Sequence, residues 1–171
     1  MLDLNNTPHW YALYTKARAE KKVDATLQEK GFESYLPLQK TVRQWHDRKK
    51  KVDLPVFSSY VFVRMALKER IPVLQTDGVV KLVSLTGTPS PIPDFEIAAV
   101  KRILEGQTPY EVTNFLRIGQ DVEVITGPLK GLHGRIVENR RKNRLLVGIQ
   151  QIGQALSVEV LDSQVRLLKK Q

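Results

Sequence analysis

The sequence contains no cysteine, three histidines and few aromatic residues, which make up 7% of the chain. Without cysteine, disulfides, thiolate metal sites and cysteine nucleophiles are excluded. The histidines, His9, His46 and His133, lie far apart, and no Ser-His-Asp spacing, nucleotide-binding loop or metal-ligand cluster accompanies them. The sequence therefore predicts a protein that is not an enzyme and that needs no metal or cofactor.

Long apolar runs are also missing. No stretch approaches the roughly 20 apolar residues of a membrane span. The first residues, MLDLNNTPHW, lack the basic and apolar regions of a signal peptide. These two absences lead us to expect a cytoplasmic protein that does not bind a membrane.

Positive charge is in excess, with 27 Lys and Arg against 18 Asp and Glu, a net charge of +9 and a pI of about 9.8. Such a balance favours a polyanionic partner. The hydrophobic fraction of 42% and the charged fraction of 26% are typical of a globular chain. The length of 171 residues allows one ordinary domain or two small ones.

Residues 119–138, GQDVEVITGPLKGLHGRIVE, carry the most informative pattern. Alternating apolar residues on both sides of a glycine-proline cluster predict two short strands joined by a tight loop. The loop contains Gly127, Pro128, Gly131 and Gly134, and glycine permits a positive φ or a close backbone approach. On glycine content alone, an ordinary turn of any small β-barrel explains the segment equally well.

The order of these residues resembles the KOW motif, which marks a small barrel in NusG-type transcription factors and in some ribosomal proteins. The following segments, LLVGI and ALSVEVLDSQVRLL, fit that barrel. The resemblance implies an all-β, SH3-like domain at residues 118–171. Its β-branched residues and two further glycines, Gly148 and Gly153, favour a stable barrel over a helical hairpin. A basic cluster between two strand patterns is predicted on a hairpin loop and comprises Arg140, Arg141, Lys142 and Arg144.

The first half alternates strand and helix patterns. The predicted elements are a strand at 9–16, a basic helix at 18–30, an extended run at 32–44, a strand at 54–65, a short helix at 68–75, a strand at 79–85 and a helix at 95–104. Pro37 predicts an edge strand or a bend, QWHDRKKKVD predicts the loop of a long hairpin, and Asp94 is the predicted N-cap of the last helix. This order predicts an α+β, ferredoxin-like antiparallel sheet with helices on one side.

Three segments of this half resemble the NusG N-terminal (NGN) domain: WYALYTK with its basic helix, LPVFSSYVFVRM, and GVVKLVSLTGTPSPIPDFEI. The long basic hairpin and the Leu-Pro-Val-Phe segment are most similar to specialised paralogs of the RfaH and UpxY kind. One turn departs from the family pattern, because Phe57-Ser58-Ser59-Tyr60 replaces Phe-Pro followed by Gly or Asn. We predict an NGN domain at 8–105, a linker at 106–117 and a KOW domain at 118–171.

The resemblance implies that the NGN domain binds the clamp helices of bacterial RNA polymerase through an apolar depression. The matching positions are Phe57, Tyr60 and Phe62, with Trp10 and Tyr11 as neighbours. Aromatic residues favour strands in any protein, so the alternative is that these side chains form the core of the sheet.

Basic residues form the second predicted contact. Tyr14, Lys16, Arg18 and Lys22 match positions at which specialised paralogs contact the displaced non-template DNA strand; the alternative is a solvated helix face. A run of adjacent cations repels itself, and we therefore predict a contact with duplex DNA or nascent RNA. This run consists of Arg48, Lys49, Lys50 and Lys51.

The family implies a monomeric elongation regulator that promotes processive elongation and antitermination over long operons. Two alternatives stay open. One is a housekeeping factor whose KOW domain couples polymerase to a ribosomal protein or to Rho, and the other is a ribosome-associated KOW protein that binds RNA.

Overall fold

The computed structural model describes residues 3–115, 119–139 and 142–168. The chain divides into two compact units, of which the first ends at Ile92 and the second begins at Pro93. Within the described residues, no helix is both long enough and apolar enough to cross a membrane.

The first unit is an antiparallel sheet with helices on one side. Its elements are β1 (His9–Thr15), α1 (Glu20–Glu29), β2 (Glu33–Tyr35), β3 (Leu38–Trp45), β4 (Arg48–Pro55), β5 (Tyr60–Met65), α2 (Arg70–Leu74) and β6 (Val79–Leu82). The main sheet has the order β2-β5-β1-β6, and β3 and β4 form a separate two-stranded sheet. This arrangement confirms the predicted α+β fold with an antiparallel sheet.

Alternation along β1 and β5 creates the core. Tyr11 and Leu13 point to the helix side, where they pack with Val23 and Leu27 of α1 and with Val73 of α2. Each such buried side chain contributes about 1.5–3 kcal/mol. The intervening residues of β1 and β5 therefore point to the opposite face of the sheet.

The hairpin of β3 and β4 differs from the predicted loop. Its register continues to the Trp45–Arg48 pair, so that His46 and Asp47 alone form the turn and Arg48–Lys51 belong to a strand. Backbone pairing does not depend on side-chain charge, and the charged side chains stay in water on both faces. The prediction of a loop over this segment was wrong, whereas the prediction of a long hairpin is confirmed.

The second unit combines one helix with an all-β sheet. Its elements are α3 (Asp94–Glu105), β7 (Glu111–Asn114), β8 (Gln120–Val124), β9 (His133–Asn139), β10 (Lys142–Ile149), β11 (Gln154–Val160) and β12 (Val165–Leu167). The antiparallel order is β12-β8-β9-β10-β11-β7. The expectation of a separate, small all-β sheet in the C-terminal part of the chain is confirmed.

Helix α3 begins one residue earlier than the sequence predicted. Pro93 is the N-cap, with φ −57° and ψ 137°, and Asp94 is the first helical residue. An acidic residue in the first turn interacts favourably with the helix dipole. The assignment of Asp94 as N-cap was therefore wrong, and Gly106 does end the helix as predicted.

Two basic residues of the predicted loop cluster lie in a strand. Lys142 and Arg144 belong to β10, while Arg140 and Arg141 lie outside the described residues. The Arg144 guanidinium donates to the Ser157 hydroxyl at 2.8 Å and lies 3.0 Å from a Glu111 carboxylate oxygen. Arg144 therefore links β10, β11 and β7 rather than extending from a loop.

The segment predicted as a linker is partly structured. Strand β7 lies within residues 106–117 and pairs with β11, and the Phe115 N–H donates to the Gly153 carbonyl at 2.8 Å. Helix α3 belongs by its contacts to the second unit. The boundaries at 105 and 118 stay a prediction.

Candidate functional site

Three side chains form a row across the sheet face opposite α1 and α2. Tyr14 of β1 lies opposite Tyr60 of β5 and opposite Lys81 of β6, and directly paired residues point to the same side. The two tyrosine ring centroids are 5.6 Å apart in an edge-to-face arrangement. The Lys81 Nζ lies 6.0 Å from the Tyr14 ring centroid. We call Tyr14, Tyr60 and Lys81 the tyrosine row.

The tyrosine row offers both an aromatic and a cationic surface. Tyr14 is 37% exposed, Tyr60 is half-buried and Lys81 is exposed. Burial, together with the neighbouring Tyr14, raises the pKa of the Tyr60 hydroxyl above its usual value of 10, so the ring stays neutral at physiological pH. A neutral aromatic pair beside a lysine suits contact with an apolar side chain, a base or a phosphate.

The predicted polymerase-binding residues divide into one surface residue and four core residues. Trp10, Tyr11, Phe57 and Phe62 are buried, and Tyr60 is the partly exposed member. The Phe57 and Phe62 ring centroids lie 6.3 Å apart. Tyr11 lies on the helix side of the sheet, within the core. These four side chains support the sheet on which Tyr60 is placed, and the polymerase contact of Tyr60 stays a prediction.

Three of the residues predicted to bind nucleic acid follow Tyr14 along the chain. Lys16, Arg18 and Lys22 are all exposed, and they follow Tyr14 at the end of β1 and along α1. The Lys22 Nζ lies 2.5 Å from a carboxylate oxygen of Asp77. The hydrogen bond from Lys22 and the charge of Lys16 lower the pKa of the Asp77 carboxyl, which stays charged. Asp77 therefore neutralises part of the positive charge of Lys22.

The structure brings together two surfaces that the sequence treated separately. Tyr60 was predicted to bind polymerase and Tyr14 to bind DNA, yet their rings are in contact. The sequence could not show this, because β1 and β5 are distant in the chain and their register is set by tertiary pairing.

The turn before Tyr60 is held by a residue that sequence reasoning missed. Glu20 is buried, and its Oε1 accepts a hydrogen bond from the Ser59 N–H at 2.7 Å. The Thr15 N–H donates to the Ser59 carbonyl at 2.9 Å. Ser59 has a φ of 66°, in the left-handed region that glycine and asparagine favour. The turn that departs from the family pattern therefore keeps a left-handed residue, anchored by α1 and β1.

The four adjacent cations after Asp47 do not form one patch. In β4 they alternate, so that Arg48 and Lys50 occupy one face of the hairpin while Lys49 and Lys51 occupy the other. All four are exposed. The hairpin thus presents positive charge on both sides.

The glycines of residues 127–134 have structural roles in the second unit. Gly127 and Gly131 have φ values of 83° and 87°. A Cβ at Gly134 would lie 2.6 Å from the Leu146 carbonyl oxygen, closer than a side chain tolerates. The Arg102 guanidinium of α3 donates to the Pro128 carbonyl at 3.1 Å. This geometry explains the spacing of the glycines without a ligand.

A cavity of about 680 Å³ in the second unit is lined by the half-buried Glu96. Burial raises the pKa of Glu96 to about 7, although the Gln150 backbone N–H donates a hydrogen bond to the carboxylate. Asp121, His133 and Arg135 line the same cavity. Across the described ranges, no group of three or more His, Asp or Glu could hold a metal ion.

Comparison with known proteins finds one family and several relatives. The family model described as "Transcription termination factor nusG" matches residues 8–101. The "Transcription termination/antitermination protein NusG" of Rickettsia typhi is 25% identical over 95% of this chain and 91% of its own length. Its counterpart from Rickettsia prowazekii is 24% identical over the same shares.

A solved structure titled "Domain interaction in Thermotoga maritima NusG" covers 95% of this chain and 98% of its own, with 24% identity and a TM-score of 0.48. The family model spans more than half of the chain, and the KOW-like sheet follows it in sequence. The chain therefore belongs to the NusG family, and its general role is the regulation of transcription.

Proposed function

We propose that this protein binds bacterial RNA polymerase through its first unit and promotes processive elongation and antitermination. The observation that carries the proposal is the tyrosine row, which places a half-buried aromatic anchor, Tyr60, beside an exposed Tyr14 and a lysine. Interface energy is concentrated in a few aromatic anchors on a supported surface. The buried Phe57 and Phe62 supply that support.

In this proposal, Tyr60 contacts the polymerase clamp helices and Tyr14 faces the displaced non-template strand. Aromatic rings stack on bases irrespective of sequence, and cations neutralise phosphates. Lys16, Arg18 and Lys81 supply these cations, whereas Lys22 is partly neutralised by Asp77. Because the two rings touch, one protein surface would hold polymerase and DNA together.

The second unit would recruit a further partner, such as a ribosomal protein or Rho. The relatives are named for both termination and antitermination, which makes Rho-coupled termination the second candidate function. In either role the protein acts by binding, as a monomer in the cytoplasm and without catalysis.

The test is a binding measurement with purified RNA polymerase. We expect Tyr60→Ala to weaken binding about tenfold or more, because an anchor ring is lost. The matched control is Ile71→Ala, which trims another exposed apolar side chain, on α2. Unfolding of the Tyr60→Ala variant, or normal affinity, would contradict the proposal.

A further inference from the structure

The register of the β3–β4 hairpin sorts its side chains onto two different faces. Residues directly opposite each other in an antiparallel pair point to the same side. The Trp45–Arg48 and Arg43–Lys50 pairs therefore share one face. We call these four residues the indole face. The opposite face carries two further cations, Lys49 and Lys51, opposite Gln44 and Val42.

The charges of the indole face do not stabilise the hairpin. Arg43 lies directly opposite Lys50, and like charges in that position are destabilising. In the part of the chain that the structure describes, Arg43, Arg48 and Lys50 form no ion pair. The hairpin is also a two-stranded sheet of its own, an arrangement of marginal stability. An anionic ligand would relieve this repulsion.

Trp45 is the second independent feature of this face. Its side chain is 64% exposed, and it makes no ring contact with the residues that the structure describes. Its neighbours on the face are the three cations. Protein-binding hot spots are also enriched in Trp and Arg, but three cations with no carboxylate on this face favour an anionic partner. A lone indole among cations is the combination that stacks on a base while the flanking charges neutralise phosphates.

We propose that the indole face binds single-stranded nucleic acid, with Trp45 stacked on an unpaired base and Arg43, Arg48 and Lys50 on the adjacent phosphates. Double-stranded DNA fits less well, because its bases are already stacked and opening a step costs a few kcal/mol. This inference rests on the proposed function in one respect: a transcribing polymerase supplies the unpaired strand.

The first test uses the full chain and a short oligodeoxythymidine, single-stranded or annealed to its complement. The protein has two tryptophans, of which Trp10 is 4% exposed and Trp45 is 64% exposed, so a stacking ligand quenches the emission of Trp45. We expect quenching by the single strand and little by the duplex. Because the Trp45 variants lack the reporting indole, their affinity is measured by the anisotropy of a labelled single strand. Trp45→Ala should lower affinity about tenfold or more, and Trp45→Phe should keep most of it.

Two double variants that each remove two positive charges distinguish binding by the indole face from non-specific electrostatic attraction. Arg43→Ala with Lys50→Ala removes two cations from the indole face, and Lys49→Ala with Lys51→Ala removes two from the opposite face. Each phosphate contact on a single strand contributes about −0.7 to the slope of log affinity against log salt. The first pair should therefore reduce the slope by about 1.4, and the second pair should change it little.

Several results would overturn the inference. An equal decrease of the salt slope in both double variants would indicate non-specific attraction. Quenching by the duplex as strong as that by the single strand would indicate a duplex contact. Loss of polymerase binding by Trp45→Ala, with no quenching by oligonucleotide, would indicate a protein contact instead. Unchanged thermal unfolding of Trp45→Phe would show that the substitution does not damage the hairpin. Quenching is measured on the wild-type protein, so this result tests the inference even if a variant does not fold.

A polymerase pull-down with the wild-type protein separates the two proposals. Quenching by the single strand without polymerase binding would support the indole face and contradict the proposed function. Polymerase binding without quenching would contradict the indole face alone.

Discussion

At the scale of single residues, burial decides which aromatic side chains are available for binding. The sequence identified five aromatic candidates for polymerase binding, and of these five Tyr60 is the one that reaches solvent. Trp10 and Phe62 lie on the face away from the helices, yet they too are buried. Alternation along a strand predicts the face of a side chain but does not predict what covers that face.

The left-handed Ser59 gives a direct test of the anchored turn. A non-glycine residue in this conformation costs about 1 kcal/mol, and glycine relieves that strain while increasing the entropy of the unfolded chain. The entropy of the glycine chain offsets about 0.4–1 kcal/mol of the relieved strain, so we expect Ser59→Gly to raise the free energy of unfolding by about 0.5 kcal/mol or less in urea titrations. Ser58→Gly, at an exposed position without a positive φ, should lower it slightly. A loss of stability in Ser59→Gly would contradict the strain argument.

Glu20 holds the same turn from α1. Because its carboxylate accepts the Ser59 N–H, Glu20→Ala leaves a donor without its partner. The expected loss is roughly 1.5–3 kcal/mol in the free energy of unfolding, as for hydrogen bonds to charged groups. Glu29→Ala, at the exposed end of the same helix, serves as the control. Equal unfolding midpoints for the two variants would show that the Glu20 contact is unimportant.

At the scale of elements, the sequence predicted strands well where apolar residues alternate. The bounds of β1 follow HWYALYTK closely, because this strand buries side chains in the core. The strand predicted at 54–65 begins only at Tyr60, because Leu54 and Pro55 end β4 and a turn follows them. The prediction failed for β4, because Arg48–Lys51 has no apolar alternation. A hairpin exposed on both faces leaves no hydrophobic pattern in its sequence, so backbone pairing there cannot be inferred from periodicity.

Helix α3 carries a pH-dependent element of stability. Its Glu96 has a folded pKa of about 7 against an ordinary value of 4.5, because burial disfavours the charged form. The folded state therefore holds the proton more tightly, and the free energy of unfolding falls as pH rises from about 4.5 to about 7. Partial exposure to solvent limits the loss to roughly 1–2 kcal/mol.

We expect Glu96→Gln to remove this loss, so that the variant exceeds the wild type in stability at about pH 8 and not at about pH 5. Urea unfolding of both proteins across this pH range measures the difference. Glu105→Gln, at the exposed end of the same helix, should leave the pH dependence unchanged. Parallel pH profiles for the wild type and Glu96→Gln would show that another group is responsible.

At the scale of the whole molecule, the motifs predicted both the family and the general arrangement. The glycine spacing of residues 119–138 indicated the second sheet, because Gly127, Gly131 and Gly134 are required by φ or by close packing. The contact between Tyr14 and Tyr60 was beyond prediction, because it depends on strand register across the fold. The Glu20–Ser59 contact could not be predicted for the same reason.

The most decisive experiment is single-round transcription by purified bacterial RNA polymerase, with and without the protein. The template should be long and should carry a pause site and a Rho-dependent terminator. We predict more full-length RNA when the protein is present, and a smaller gain with Tyr60→Ala than with Ile71→Ala. Increased Rho-dependent termination, or no effect together with no polymerase binding, would contradict the proposed function.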